Sequence, residues 1–260
     1  MSPARAHDRW CRPGRARPQS SGRAADHCGR WWPEQDEGRA LAQGHIDYLA
    51  GSWPHSTRIL ESAHAPPPRR CNQDEGFAMS MFPLHTIATA PAKSRPVLEA
   101  LQQAFGFVPN VAGKIAGSPA LAQGFGGLFQ NVHAGTFSET EIQVLLLTNA
   151  VTNRCEWAVA FHTALSLKEG VDEADVAAIR DRRLPAPPRL AALSRLTRAM
   201  IEARGRVGDA EVDRFCSSGF DTEQALELVG VLAASTITNY AASMTRPPLE
   251  DAFRAHAWGA

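Results

Sequence analysis

A helix that is apolar on almost every side lies in the middle of the sequence and constrains the fold most. Ser138 followed three residues later by Glu141 is a capping box, which predicts a helix from Glu139 to about Thr152. Its apolar residues surround the helix instead of forming one stripe: Ile142, Val144, Leu145, Leu146, Leu147 and Val151. Such a helix can bury its surface only among other helices, so it should lie at the centre of a helical bundle.

From about residue 82 onward, the remaining segments also predict helices and no strand-like alternation is present. The predicted helices cover 94–104, 118–132, 154–168, 172–179, a segment from about 190 that ends before Gly205, a segment capped by Asp209, and 222–243. Residues 107–110 predict a turn. Three glycines at 124, 126 and 127 predict close packing of the second helix against another helix. The sequence therefore predicts one all-α domain over residues 82–258.

The composition narrows the classes of partner and location. Lys and Arg together number 27, and so do Asp and Glu, so the net charge predicts neither a nucleic acid nor an acidic membrane as partner. No run approaches the roughly 20 apolar residues of a membrane helix, and the first thirty residues lack the apolar core of a signal peptide. We therefore expect a cytoplasmic protein.

Residues 1–78 differ in composition from the rest of the chain. Pro, Gly, Ser, Arg and scattered Trp occur there without a sustained helical or strand period. We predict a disordered or mistranslated extension, with Met79 or Met81 as the true start. The alternative is a genuine disordered tail in which Cys11, Cys28 and Cys71 bind a metal, but their wide, irregular spacing is a poor zinc signal.

The segment 153–162 contains the most reactive combination of side chains. On a helix, positions i, i+3 and i+7 share one face, so Cys155, Ala158 and His162 should form one stripe and a thiol and an imidazole could share a pocket. The alternatives are a buried, inert Cys155 and a hydrogen-bonded core histidine. His133, at the end of a predicted helix, should stabilise the helix C-terminus.

This arrangement resembles the alkylhydroperoxidase D and carboxymuconolactone decarboxylase superfamily. The similarity covers about residues 82–258 and includes the Cys155 to His162 spacing, the preceding segment 141–147, and the C-terminal segments 239–240 and 248–253. The resemblance implies an all-α, AhpD-like bundle that forms homo-oligomers. In the redox members, a glutamate twelve residues before the first cysteine and the motif histidine help deprotonate a second cysteine. Gln143 and Ala158 occupy those two positions here. Gln143 is interpreted as orienting water or substrate, or as a buried amide that satisfies backbone groups.

The resemblance implies a peroxidase-like, peroxiredoxin-type antioxidant oxidoreductase with a one-cysteine site and an external thiol as reductant. Its predicted catalytic residues are Cys155, His162 and Gln143, and no cofactor or metal is expected. One alternative is a cofactor-free decarboxylase or lyase in which His162 handles protons on a small carboxylated lactone. Another is a non-catalytic oligomeric binding or scaffold protein.

Overall fold

A computed structural model describes residues 81–259, and within this range the chain forms helices and loops without any β-strand. The α-helices are α1 (Arg95–Phe105), α2 (Asn110–Ile115), α3 (Pro119–His133), α4 (Glu139–Thr152), α5 (Glu156–Lys168), α6 (Glu173–Arg180), α7 (Pro188–Glu202), α8 (Asp209–Ser217) and α9 (Thr222–Thr245). Short 3-10 helices cover Ala92–Ser94 and Asp251–His256. The all-α prediction is confirmed. The extension predicted over residues 1–78 lies outside the described residues.

Helix α4 is the centre of the bundle and has the predicted boundaries. The capping box is present, because Ser138 Oγ accepts a hydrogen bond from Glu141 N at 3.3 Å and Glu141 Oε2 accepts one from Ser138 N at 2.9 Å. Every residue from 141 to 151 is buried, as a helix that is apolar on all sides requires. It packs against α5, α7 and α9.

The junction between α4 and α5 differs from the prediction. Arg154 has a φ of 55°, in the left-handed region, and Cys155 N donates to Ala150 O at 3.0 Å. This 6→1 bond is typical of a Schellman motif, which ends α4 and makes Cys155 the N-cap of α5. The prediction that the helix begins at residue 154 was therefore wrong by two residues, because a left-handed residue interrupts it.

Helix α2 was not predicted. The turn at 107–110 is correct as far as Pro109, but Asn110 begins a short helix. Its first N–H is capped from a distant part of the chain, since Asn110 N donates to Glu250 Oε1 at 2.7 Å. A local pattern cannot reveal a cap supplied from 140 residues away.

The glycine prediction for α3 holds at one position only. A Cβ at Gly126 would lie 3.1 Å from the methyl groups of Val97 on α1, which is a close helix contact. Cβ atoms at Gly124 and Gly127 would meet nothing within 4 Å, so within this chain those two positions do not need glycine for packing.

The first residues of α6 and α8 test two further cap predictions. Asp172 Oδ1 accepts from Ala174 N at 2.8 Å and caps α6 as predicted. At α8 the cap is Gly208, and Asp209 is the first helical residue, so that prediction was wrong by one position. Helix α9 begins with an Asp221–Gln224 capping box and ends at Arg246, which has a φ of 47°.

Helix α9 is also long and apolar enough to cross a membrane by length and composition alone. The sequence analysis had expected no such segment. Half of the most apolar stretch of α9 is buried against the rest of the protein, as in a core helix of a bundle.

Candidate active site

Helices α1 to α5 and α9 enclose a cavity of about 50 Å³, several times the roughly 10–15 Å³ that one water needs. Its lining is mostly apolar and rich in aromatic rings: Leu101, Phe105, Pro109, Val111, Ala112, Phe125, Phe129, Val132, His133, Leu146, Trp157, Phe161, His162, Ala234, Ser235 and Thr238. No Lys or Arg from the described part of the chain lines it. Two histidines, one serine and one threonine supply the polar side chains of this wall.

His162 projects from α5 into this cavity and is almost completely buried. Its Nδ1 donates a hydrogen bond to Gln143 Oε1 of α4 at 3.1 Å, since a carbonyl oxygen can only accept. Burial, and to a smaller extent the charge of His133, lowers the pKa of His162 to about 3. His162 is therefore neutral at pH 7, and its Nε2 carries a lone pair.

His133, at the end of α3, lines the same cavity but has a different partner. Its Nδ1 lies 2.9 Å from Oε1 and 3.1 Å from Oε2 of Glu139, the first residue of α4. The ring packs against Phe129 with 4.3 Å between centroids. A carboxylate in this position fixes the orientation of the imidazole. The sequence analysis assigned His133 only to helix stabilisation and missed its place in the cavity.

Cys155 does not line the cavity that His162 lines. As the N-cap of α5 it has an extended backbone, so the helical spacing that predicted one stripe does not apply to it. The thiol is buried and free. Burial raises its pKa, while the backbone N–H of Ala158 and the hydroxyl of Ser243 oppose that rise by smaller amounts. The expectation that this thiol and the imidazole share a pocket therefore fails for this cavity.

Trp157 forms one wall of the cavity and is fixed by two contacts. Its indole N–H donates to Glu250 Oε2 at 3.0 Å, and its ring stacks on Phe161 with 4.9 Å between centroids. Because Glu250 also caps α2, one carboxylate connects the C-terminal segment to two elements of the cavity. Ala158, one residue further along α5, is fully buried.

Within residues 81–259, no group of three or more His, Cys, Asp or Glu side chains is arranged to hold a metal ion. The ionisable side chains that line the cavity are a neutral imidazole bound to an amide and an imidazole bound to a carboxylate.

Residues 119–200 match the family model of the carboxymuconolactone decarboxylase family. This segment contains α4 and α5, and so it includes Gln143, Cys155 and His162. No curated protein matches the chain.

Several solved structures have a similar fold. The alkylhydroperoxidase AhpD core of an uncharacterised peroxidase-related protein from Ralstonia eutropha JMP134 is 21% identical with a TM-score of 0.61, covering 68% of this chain and 96% of that one. A peroxidase-related protein from Silicibacter sp. TM1040 is 17% identical with a TM-score of 0.59, covering 71% and 99%. The debrominase Bmp8 is 20% identical with a TM-score of 0.54, covering 64% and 90%. At these identities, the similarities establish the fold.

Proposed function

We propose that the aromatic cavity is an active site for acid–base chemistry in which His162 is the proton acceptor, in a chain whose residues 119–200 match the carboxymuconolactone decarboxylase family model. One observation carries this proposal: the His162 imidazole borders the cavity, and its Nδ1 is occupied by Gln143. The nitrogen left for a substrate is Nε2, which can only accept a proton or a hydrogen bond in this tautomer.

The lining also defines the class of substrate. A carboxylated lactone would bring a negative charge into a mostly apolar space that no described Lys or Arg lines and where His133 is already paired with Glu139, and an unpaired buried charge is costly. The cavity therefore favours a small, uncharged and largely apolar molecule. This lining weighs against the decarboxylase alternative, which needs a carboxylated substrate. A cysteine-to-alanine variant of the structurally similar debrominase Bmp8, which was obtained in complex with the aromatic molecule 2,3,4-tribromopyrrole, supports this class.

Nitroethane, a small uncharged carbon acid, tests the proposal. The full-length protein should accelerate exchange of the C-1 protons of nitroethane for deuterium in D₂O, followed by ¹H NMR. Replacement of the imidazole in His162→Gln should lower that rate at least about tenfold, since the proton acceptor is lost. His85→Gln, which removes a histidine outside the cavity, is the matched control and should keep the wild-type rate. Equal exchange rates in His162→Gln and the wild type would remove His162 from the mechanism.

A second candidate is the one-cysteine peroxidase at Cys155. It is favoured by the position of the thiol at the N-terminus of α5, where the N–H groups of Ala158 and Trp157 favour the thiolate. The thiolate would attack one oxygen of a hydroperoxide, break the O–O bond and release an alcohol. The resulting sulfenic acid would then be reduced by an external thiol. The raised pKa of this buried thiol weighs against the candidate, as does its position outside the cavity.

Hydroperoxide consumption with dithiothreitol as the reductant tests the second candidate. If Cys155 is the nucleophile, the rate should rise between pH 7 and pH 9 as the thiolate fraction increases, and Cys155→Ser should abolish it. Activity that persists in Cys155→Ser would eliminate the one-cysteine site.

We also propose that the protein acts in the cytoplasm as a homo-oligomer. Helix α9 leaves four large apolar side chains exposed that a second copy could cover: Leu226, Val229, Tyr240 and Met244. The same surface would serve the non-catalytic scaffold alternative, so its burial alone does not separate an enzyme from a scaffold. Proton exchange catalysed in the cavity would separate an enzyme from a scaffold.

A further inference from the structure

We infer that His133 and Glu139 form the proton-donating half of this site, opposite in role to His162, so that one substrate exchanges protons at two positions. This inference rests on the proposed function, because it needs His162 as the acceptor. It adds a second catalytic residue, His133, and a positioning residue, Glu139. It also assigns the reaction to the class of isomerisations and eliminations on uncharged substrates.

The two histidines differ in their partners, and this difference assigns the roles. The Nδ1 of His133 lies 2.9 Å from a carboxylate oxygen of Glu139. The Nδ1 of His162 lies 3.1 Å from the amide oxygen of Gln143. A carboxylate stabilises an imidazolium, whereas a neutral amide does so far less. Two copies of one side chain in one cavity thus have different partners, a carboxylate for the donor and an amide oxygen for the acceptor, and different environments are how active sites separate an acid from a base.

The two groups are also coupled electrostatically. The charge of His133 contributes to the lowered pKa of His162. When His133 gives its proton to the substrate, that charge disappears and His162 becomes a stronger base. Donation by one ring therefore favours acceptance by the other.

The proton transfers balance without a further reactant. His162 Nε2 takes a proton from a C–H bond of the substrate, and the bonding electron pair moves into the conjugated part of the molecule. The proton of His133 adds to the atom at the other end, such as an oxygen. After the product leaves, the proton on His162 is lost to water and His133 takes one up, which restores the starting state.

Substitutions at both members of the pair test this inference in the full-length protein. Nitroethane is the probe, because loss of its C-1 proton places negative charge on the nitro oxygens, where a donor would act. His133→Gln should lower deuterium exchange at least about tenfold and should also move the titration of His162, followed by NMR, to a higher pH. Glu139→Gln keeps both rings, gives His133 an amide partner and should produce an intermediate exchange rate.

The outcomes separate the two proposals. Wild-type protein without nitroethane exchange would overturn the proposed function. Exchange by the wild type that stays unchanged in His133→Gln and in Glu139→Gln would overturn the donor role alone. A purely structural role for His133 would reduce exchange without moving the titration of His162, and that result would also overturn the inference. If His133→Gln does not fold, Glu139→Gln decides, because its expected loss of exchange does not depend on removal of a ring.

Discussion

Acidification from pH 7 to pH 5 should lower the free energy of unfolding by about 2 kcal/mol through His162 alone. The folded pKa of about 3 lies below the ordinary value of 6.5, so between these values the unfolded chain binds a proton that the folded protein does not. The stabilisation from the neutral, buried imidazole is therefore complete above pH 6.5 and is lost as the pH falls toward 3. At pH 5, 1.5 pH units below the unfolded value, the loss is about 2 kcal/mol.

Urea denaturation at several pH values measures this effect. Carboxylates also change their charge in acid, so the informative quantity is the difference in pH dependence between the wild type and His162→Gln. The variant should lack about 2 kcal/mol of the acid-induced loss, equivalent to roughly 4–8 °C in melting temperature for a domain of this size. His85→Gln should follow the wild type. Parallel curves for the wild type and His162→Gln would show that His162 titrates normally in the folded protein.

Trp157→Ala should have a larger effect on stability at pH 7, a loss of about 3–5 kcal/mol. The indole is buried, stacks on Phe161 and donates to Glu250, so its removal widens the cavity and leaves a carboxylate oxygen without its donor. Trp157→Phe is the matched control, because it keeps a ring against Phe161 and loses the hydrogen bond. It should cost about 1–3 kcal/mol. Both values follow from urea denaturation monitored by circular dichroism.

Trp157 also forms a wall of the cavity, so the alanine variant should bind small ligands less selectively. A loss of less than about 1 kcal/mol in Trp157→Ala would mean that this wall is not tightly packed, contrary to the structure.

The parts of the fold that depend on neighbouring residues could be predicted from the sequence. The boundaries of α4 were correct because its cap, Ser138 with Glu141, lies within the first turn. The start of α5 and the existence of α2 were not predicted, because the first depends on a backbone conformation and the second on a cap from a distant part of the chain. Arg154 adopts a left-handed conformation that no glycine signals, and Asn110 is capped by Glu250 from the other end of the domain.

The site was predictable only in part, for the same reason. The helical spacing identified His162 and the family resemblance pointed to Gln143, and the structure brings these two side chains into hydrogen-bonding contact. Cys155 was grouped with His162 by a helical period that the N-cap interrupts. His133 enters the cavity because α3 and α4 bring its ring to Glu139 and toward the aromatic wall, and a linear pattern carries no signal for such tertiary placement.

The central claim, that His162 is a neutral proton acceptor, is tested most directly by the ¹⁵N chemical shifts of its imidazole in the full-length protein. The account predicts a single tautomer with the proton on Nδ1 and a bare Nε2, without titration from pH 8 down to about pH 4, one unit above its pKa of about 3. Gln143→Glu should make the same ring titrate at a higher pH, because a carboxylate then faces Nδ1. A His162 that titrates near 6.5 in the wild type, or carries its proton on Nε2, would contradict the account.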